Sequence, residues 1–212
     1  MMNNIDKLFN ESGDIKDFTT GYYKYLFSVL NSIDVNEIAA FSEVLLNARA
    51  KGNTIFFIGN GGSAATASHM VNDFGMDVMK KSGTDIPFRA ISLTENAAVM
   101  LAIGNDDGYD KLFVNQLRIN YRPGDILVAI SASGNSPNII AAAEWVKSKG
   151  GTVMALVGFD GGRLKTISDI VLHAKSEKGE YGPVEDAHMI MDHLLANWLH
   201  YYIQRDLPGE KK

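Results

Sequence analysis

The chain has 212 residues, 46% hydrophobic and 21% charged, enough for one substantial core with a helical extension to spare. Its formal net charge of -5 comes without any clustered Lys/Arg run, which argues against partners recognised through nucleic acid phosphates. Cysteine is absent, so disulfides, thiolate ligands and a thiol nucleophile are excluded, and any metal must be held by His, Asp, Glu or neutral oxygen donors.

The opening residues MMNNIDKLFNESGD hold no apolar segment of the signal type, and no uninterrupted apolar run of about 18 residues follows. The chain is therefore expected in the cytoplasm, neither secreted nor spanning a membrane. Ile15, Phe18, Tyr22, Tyr25, Leu26, Val29, Leu30 and Ile33 recur at helical spacing and predict a first helix over 15–33. Asp34, with Glu37 three residues on, is a capping-box start for a second helix, whose apolar side carries Val35, Ile38, Phe41, Leu45 and Ala48. Lys51-Gly52-Asn53 ends it.

From Thr54 the texture changes to short apolar runs that end in glycine or serine and alternate with helical stretches. Strands are predicted at 54–58, 88–93, 126–130, 153–157 and 170–173, and helices at 63–73, 95–102, 111–121, 137–149 and 184–205. Near-continuous apolar strands with helices between them predict an α/β fold with a five-stranded parallel sheet covered on both faces. The expected organisation is a helical extension over 1–52, the α/β domain over 53–206, and a disordered tail over 207–212.

In open parallel sheets ligands sit beyond the carboxyl ends of the strands, at a switch in strand order. The first predicted strand runs into Gly59-Asn60-Gly61-Gly62-Ser63 and then directly into a helix. Glycines allow close backbone approach to an anion, and the free N–H groups and positive end of the helix favour phosphate. The same stretch also fits G-x-G-x-x-A through Gly59, Gly61 and Ala64, so dinucleotide binding competes. Against it, the nearest acid that could hold a ribose is Glu95, over 30 residues beyond Gly61 where about 20 are wanted. The third strand runs into Ser131-Ala132-Ser133-Gly134-Asn135-Ser136, and Pro137 opens the next helix. Small hydroxyl donors there can hold a phosphate without adding charge.

His69 and Asp73, four residues apart, share a helix face one turn beyond the glycine loop. The final helix carries Glu185, His188, Asp192 and His193, with Glu185 and His193 eight residues apart and on roughly one side. Two imidazoles and two carboxylates from His69, Asp73, Glu185 and His193 suffice for a borderline-soft divalent ion such as Zn²⁺.

The glycine loop, His69 six residues after it, Gly104-Asn105-Asp106, the 131–136 loop and His193 together resemble the bacterial phosphoheptose (sedoheptulose-7-phosphate) isomerases of the SIS-domain family. The resemblance covers nearly the whole chain. It implies a doubly wound, flavodoxin-like SIS fold and a homotetramer with active sites between subunits. The implied reaction is aldose–ketose isomerisation of sedoheptulose 7-phosphate to an aldoheptose 7-phosphate. It also implies a metal on His69, Asp73, Glu185 and His193, and ligand contacts from Asn60, Gly61, Gly62, Ser63, Asn105, Asp106, Ser131, Ala132, Ser133 and Ser136. The family's base stands at position 73 and its acid at His193.

Three positions depart from the pattern: Asp73 replaces Glu, Glu185 replaces Gln and Ala132 replaces Thr. Asp73 reaches one methylene less far, while Glu185 adds a carboxylate where relatives carry an amide, so both are candidates for the base. A noncatalytic sugar-phosphate-binding or initiator-associating SIS protein is the alternative. The acid/His quartet, which a binding module does not need, discriminates against it.

Overall fold

The computed structural model describes residues 2–206; the predicted tail, 207–212, lies outside the described residues. The elements run α1 (Asn4–Glu11), α2 (Ile15–Leu30), α3 (Val35–Lys51), β1 (Thr54–Ile58), α4 (Gly62–Val71), a π-helical segment (Asn72–Asp77), α5 (Val78–Ser82), β2 (Arg89–Ser92) and α6 (Ala97–Asp106). After a 3₁₀ turn (Tyr109–Lys111) come α7 (Leu112–Asn120), β3 (Ile126–Ser131), α8 (Pro137–Ser148), β4 (Thr152–Val157), α9 (Gly162–Ile167), β5 (Ile170–His173) and α10 (Tyr181–Asp206).

All five strands are parallel, in the order β2-β1-β3-β4-β5. The order reverses between β1 and β3, so the crevice beyond their carboxyl ends is where this fold class receives ligands. Alternation along each strand sends successive side chains to opposite faces. Ile55 and Phe57 of β1 join Val128, Ile130, Met154 and Leu156 in one core cluster, beneath Phe41 and Leu45 of α3 and Leu195 and Leu199 of α10. Phe56 and Ile58 join Leu127, Ala129, Val153 and Ala155 in the other, beneath Phe113 and Leu117 of α7 and Ile139 and Val146 of α8. Each such large side chain, fully buried, contributes roughly 1.5–3 kcal/mol of hydrophobic stabilisation.

The N-terminal helices are joined to the α/β unit by core packing and by long-range polar contacts. Val29, Ile33, Phe41 and Leu45 belong to the cluster that includes Phe57 and Leu199. Buried Glu180 accepts from the Asn4 N–H at 2.6 Å and from the Tyr25 hydroxyl. The Glu37 carboxylate accepts from the Val171 N–H at 3.1 Å.

Several elements differ from the sequence reading. The first predicted helix is α2, which stops at Leu30 rather than Ile33, and an unpredicted α1, capped by Asn3 and Asp6 in a reciprocal box, precedes it. The helix predicted to end at Asp73 continues through the π segment into α5, stopping at Ser82 before left-handed Gly83. Helix α6 extends to Asp106, so Asn105 and Asp106 stand on its last turn.

Candidate active site

The β1 loop is shaped by two glycines. A side chain on Gly59 would stand 2.3 Å from the Ser63 carbonyl oxygen, and Gly61 has φ +53°, which only glycine adopts without strain. Helix α4 starts at Gly62 with no side-chain cap, leaving the first N–H groups open toward the crevice. Asn60 is held in a reciprocal amide pair with buried Asn138, 2.9 Å in each direction, and its Oδ1 also accepts from the Tyr109 hydroxyl at 3.0 Å.

The β3 loop faces it. Asn138 stands one residue inside α8, so the amide pair ties the two loops together. Ser131 Oγ accepts from the Gly134 N–H at 3.2 Å and Ser133 Oγ from the Asn135 N–H at 3.3 Å, leaving both O–H groups free to donate. Ser136 occupies the N-cap of α8 without making a side-chain cap bond. Between the loops lies a cavity of about 110 Å³, lined by Asn60, Ser63, Ser131, Ala132, Ser133 and Ser136, and closed by Tyr181 and Glu185 from α10. That volume is below the roughly 300 Å³ at which small-molecule sites begin. A space of that size suits one end of a small molecule rather than the whole of it.

Helices α4 and α10 lie side by side in parallel, with Glu185 against Gly62 and His193 against His69. The π segment begins where α4 passes α10; such segments insert an extra residue into a turn and recur at functional sites. It carries Asp73, whose Oδ1 is 3.5 Å from His69 Nε2. The His69 and His193 Nε2 atoms approach to 3.2 Å, the rings edge to face at 74°. The fourth member is Asp192. One ligand atom from each of His69, Asp73, Asp192 and His193 lies within 4.8 Å of the others. Asp192 is 0% exposed, and neither carboxylate oxygen has a hydrogen-bond partner. Burial, and then the charge of Asp73, push its carboxyl up to about 8.

Three comparisons bear on this arrangement. A family model described as the SIS domain matches residues 21–158. A phosphoheptose isomerase from Nitratidesulfovibrio vulgaris (strain DSM 19637 / Miyazaki F) is 35% identical over 73% of this chain and 72% of its own. One from Trichlorobacter lovleyi is 34% identical over 87% of this chain and 92% of its own. The chain belongs to the phosphoheptose isomerase family of SIS-domain proteins. Among solved structures, the phosphoheptose isomerase from Neisseria gonorrhoeae superposes with a TM-score of 0.76 at 27% identity, covering 88% of this chain and 98% of that one.

Within this SIS chain, the expected residues fall into three places. Asn60, Gly61, Gly62, Ser63, Ser131, Ala132, Ser133, Ser136 and Glu185 meet at the crevice or in the loops that form it. His69, Asp73 and His193 meet two turns further along α4 and α10. Asn105 and Asp106, bonded to each other at 2.7 Å, are exposed on α6 and do not line the cavity. Glu185, expected among the metal ligands, stands outside the 4.8 Å group, and Asp192 is in it. The Glu185 carboxyl lies against Gly62, where an added Cβ would meet its Oε2 at 2.3 Å, and burial followed by the charge of Asp186 raises its pKa.

Sequence reasoning missed three residues and named a fourth, Asp192, without giving it a role. Asn138 and Tyr109 support Asn60, and Tyr181, packed edge-on against Phe159 at 5.1 Å, walls the crevice. Asp192 carried a readable signal: it falls in the stripe Val184, Ala187, His188, Met191, Leu195, Leu199 that α10 buries. An acid in an apolar stripe needs a partner.

Proposed function

We propose that the chain isomerises sedoheptulose 7-phosphate to glycero-manno-heptose 7-phosphate through an enediol. The observation that carries this reading is a crevice between the β1 and β3 loops, at the starts of α4 and α8, with a His/Asp group two turns further along α4 and α10. A noncatalytic sugar-phosphate binder would have no use for the second of these.

In the proposed mechanism the phosphate is held by the open N–H groups of α4 and the hydroxyls of Ser63, Ser131, Ser133 and Ser136, with Asn60 and the backbone of Gly61, Gly62 and Ala132 beside them. Binding energy at that remote end orients the reacting carbons. Glu185 takes a proton from C1, the C–H electron pair forms the C1–C2 double bond, and the C2 carbonyl oxygen becomes an enediolate oxygen. Burial, and then the charge of Asp186, raise the pKa of Glu185, the direction that suits a general base. His193 moves a proton between the two oxygens, and return of the carbon-bound proton to C2 leaves the carbonyl at C1. Asp73, shorter and turned toward His69, is proposed chiefly as a ligand.

His69, Asp73 and His193 fit a divalent ion, Zn²⁺ by the softness of the donor set, since both imidazole Nε2 atoms and a buried carboxylate converge. When bound, such an ion supplies Lewis-acid stabilisation of negative charge on oxygen. A homotetramer is also proposed. An apolar groove of about 600 Å³ between α3 and α10, with Val35, Trp198 and Tyr201 exposed along it, supports burial against another copy. Active sites between subunits would bring Asn105 and Asp106 to the sugar of a neighbouring site. A phosphorylated sugar substrate supports a cytoplasmic setting; among the described residues no helix is long and apolar enough to cross a membrane.

Incubation of Zn²⁺-loaded protein with sedoheptulose 7-phosphate, followed by NMR, should give an aldoheptose 7-phosphate. Unchanged ketose refutes the assignment.

A further inference from the structure

We infer that Asp192, and not Glu185, is the fourth protein ligand of the divalent cation, so that this chain divides the work of its two α10 carboxylates between metal and sugar. The inference deepens the metal requirement of the proposed function and rests on it.

Three observations carry it. First, a ligand atom of Asp192 lies within 4.8 Å of ligand atoms of His69, Asp73 and His193, and Glu185 is not in that group. Second, Asp192 is wholly buried with both oxygens unpartnered, whereas the other buried carboxylates Asp125 and Glu180 are each satisfied by backbone N–H groups. A buried carboxyl without a donor is neutralised either by a proton or by a cation, and among the described residues neither Asp73 nor Asp192 makes an ion pair with Lys or Arg, so a bound cation is what can replace that proton. Third, Glu185 is seven residues earlier on α10, about 10 Å along its axis, and its carboxyl is lodged against Gly62 in the sugar crevice.

The resulting donor set is two imidazoles from the exposed side and two carboxylates from the buried side. It is a four-donor N₂O₂ set that pulls a borderline cation to the α4–α10 seam. Asp73 supplies a shorter arm than Glu, and Asp192, adjacent to His193, supplies a second acid from the opposite helix. The π segment turns Asp73 toward that seam.

The test measures metal, not turnover. Zn²⁺ affinity is determined by competition with a chromophoric chelator for the wild type, Asp192→Asn and Glu185→Ala, each first freed of metal; Ala leaves no side-chain oxygen at 185, where Gln would still offer one. The expected result is that Asp192→Asn weakens Zn²⁺ binding roughly a hundredfold or more, since even supporting groups around a metal are worth ten- to hundredfold. Glu185→Ala should stay within a few-fold of wild type. Visible absorption of the Co²⁺ forms reads the ligand set directly: the spectrum of Asp192→Asn should change and that of Glu185→Ala should not. Asn is isosteric with Asp, and thermal unfolding without metal checks that each variant folds. Wild-type Zn²⁺ affinity in Asp192→Asn, with the loss in Glu185→Ala instead, overturns the inference. So does a wild type that binds no Zn²⁺. A protein that binds Zn²⁺ through Asp192 but leaves sedoheptulose 7-phosphate unchanged keeps the ligand assignment and fails the proposed function alone.

Discussion

At the scale of single residues, the crevice separates groups with spare hydrogen-bonding capacity from groups already engaged. Ser63 lines the cavity from the first turn of α4, and Ser136 caps α8 without spending its hydroxyl. Replacing either by Ala removes one bond to a charged group, worth about 1.5–3 kcal/mol, or roughly ten- to hundredfold in affinity. Calorimetric titration with a sugar phosphate should show that loss in Ser63→Ala and Ser136→Ala, with unfolding midpoints near wild type. Gly62 bears on the proposed base. Its missing side chain is the space filled by the Glu185 carboxyl, so Gly62→Ala must push the end of that flexible chain aside. Misplacement by about an ångström costs on the order of a hundredfold in catalysis. Steady-state kinetics of Gly62→Ala should show a fall in kcat of that order while Zn²⁺ affinity is kept, and Glu185→Gln should abolish turnover. Full activity in both would remove Glu185 from the base role. Most crevice residues were legible because glycine and serine clusters after apolar runs are rare and local. Asn138 and Tyr109 were not, because their value lies in reaching Asn60 from 78 and 49 residues away.

At the scale of elements, the strands were legible and the helix breaks were not. Runs such as TIFFI and ILVAI announce strands by continuous apolar character, and β1 and β5 run from 54 to 58 and from 170 to 173 as expected. Helix α1 escaped because it is short and wholly surface-lying, with no buried residue, and its cap rests on Asn3 and Asp6. The π segment escaped because an i→i+5 turn leaves no periodic trace over six residues. The loops also carry geometry that can be tested. Gly134 has φ +62°, and a Cβ there would lie 2.0 Å from the Gly161 carbonyl oxygen, locking the β3 loop against the β4 loop. Gly52 has a similar φ of +67° but nothing within 4 Å of an added Cβ. The left-handed conformation alone costs a side chain about 1–2 kcal/mol. Urea unfolding should therefore show Gly52→Ala losing about that much and Gly134→Ala losing clearly more. Equal losses would mean that the two loops do not touch as described.

At the scale of the whole molecule, a buried imidazole ties stability to pH. His188 donates from Nε2 to the Val157 carbonyl at 3.2 Å, is 1% exposed, and burial depresses its pKa from 6.5 to about 4. The unfolded chain takes up this proton near pH 6.5 and the folded chain does not until about 4, so its contribution is present above 6.5 and drains away as pH falls through that window. Between pH 7.5 and 5.5 the loss is roughly 1.4 kcal/mol. Gln keeps a donor for Val157 and cannot titrate, so denaturant unfolding at those two pH values should show His188→Gln losing less stability than the wild type; equal losses would contradict the account. The same core holds the helical extension: α3 packs with Phe57 and α10, and Glu180 and Glu37 stitch α1, α2 and α3 to α10 and β5. The sequence boundary at residue 52 thus marks a change of texture along the chain, while packing and polar contacts run across it.

The proposed chemical act is transfer of a proton from C1 to C2 of a phosphorylated ketose at the α4–α10 seam. The direct measurement is the reaction in D₂O with the Zn²⁺-loaded protein and sedoheptulose 7-phosphate, followed by NMR and mass spectrometry. The account predicts an aldoheptose 7-phosphate with deuterium at C2, and deuterium accumulating at C1 of the remaining ketose on prolonged incubation, because a carboxyl-borne proton exchanges with solvent between abstraction and return. Failure to form any aldose, or an aldose that carries only protium at C2 after many turnovers, contradicts it.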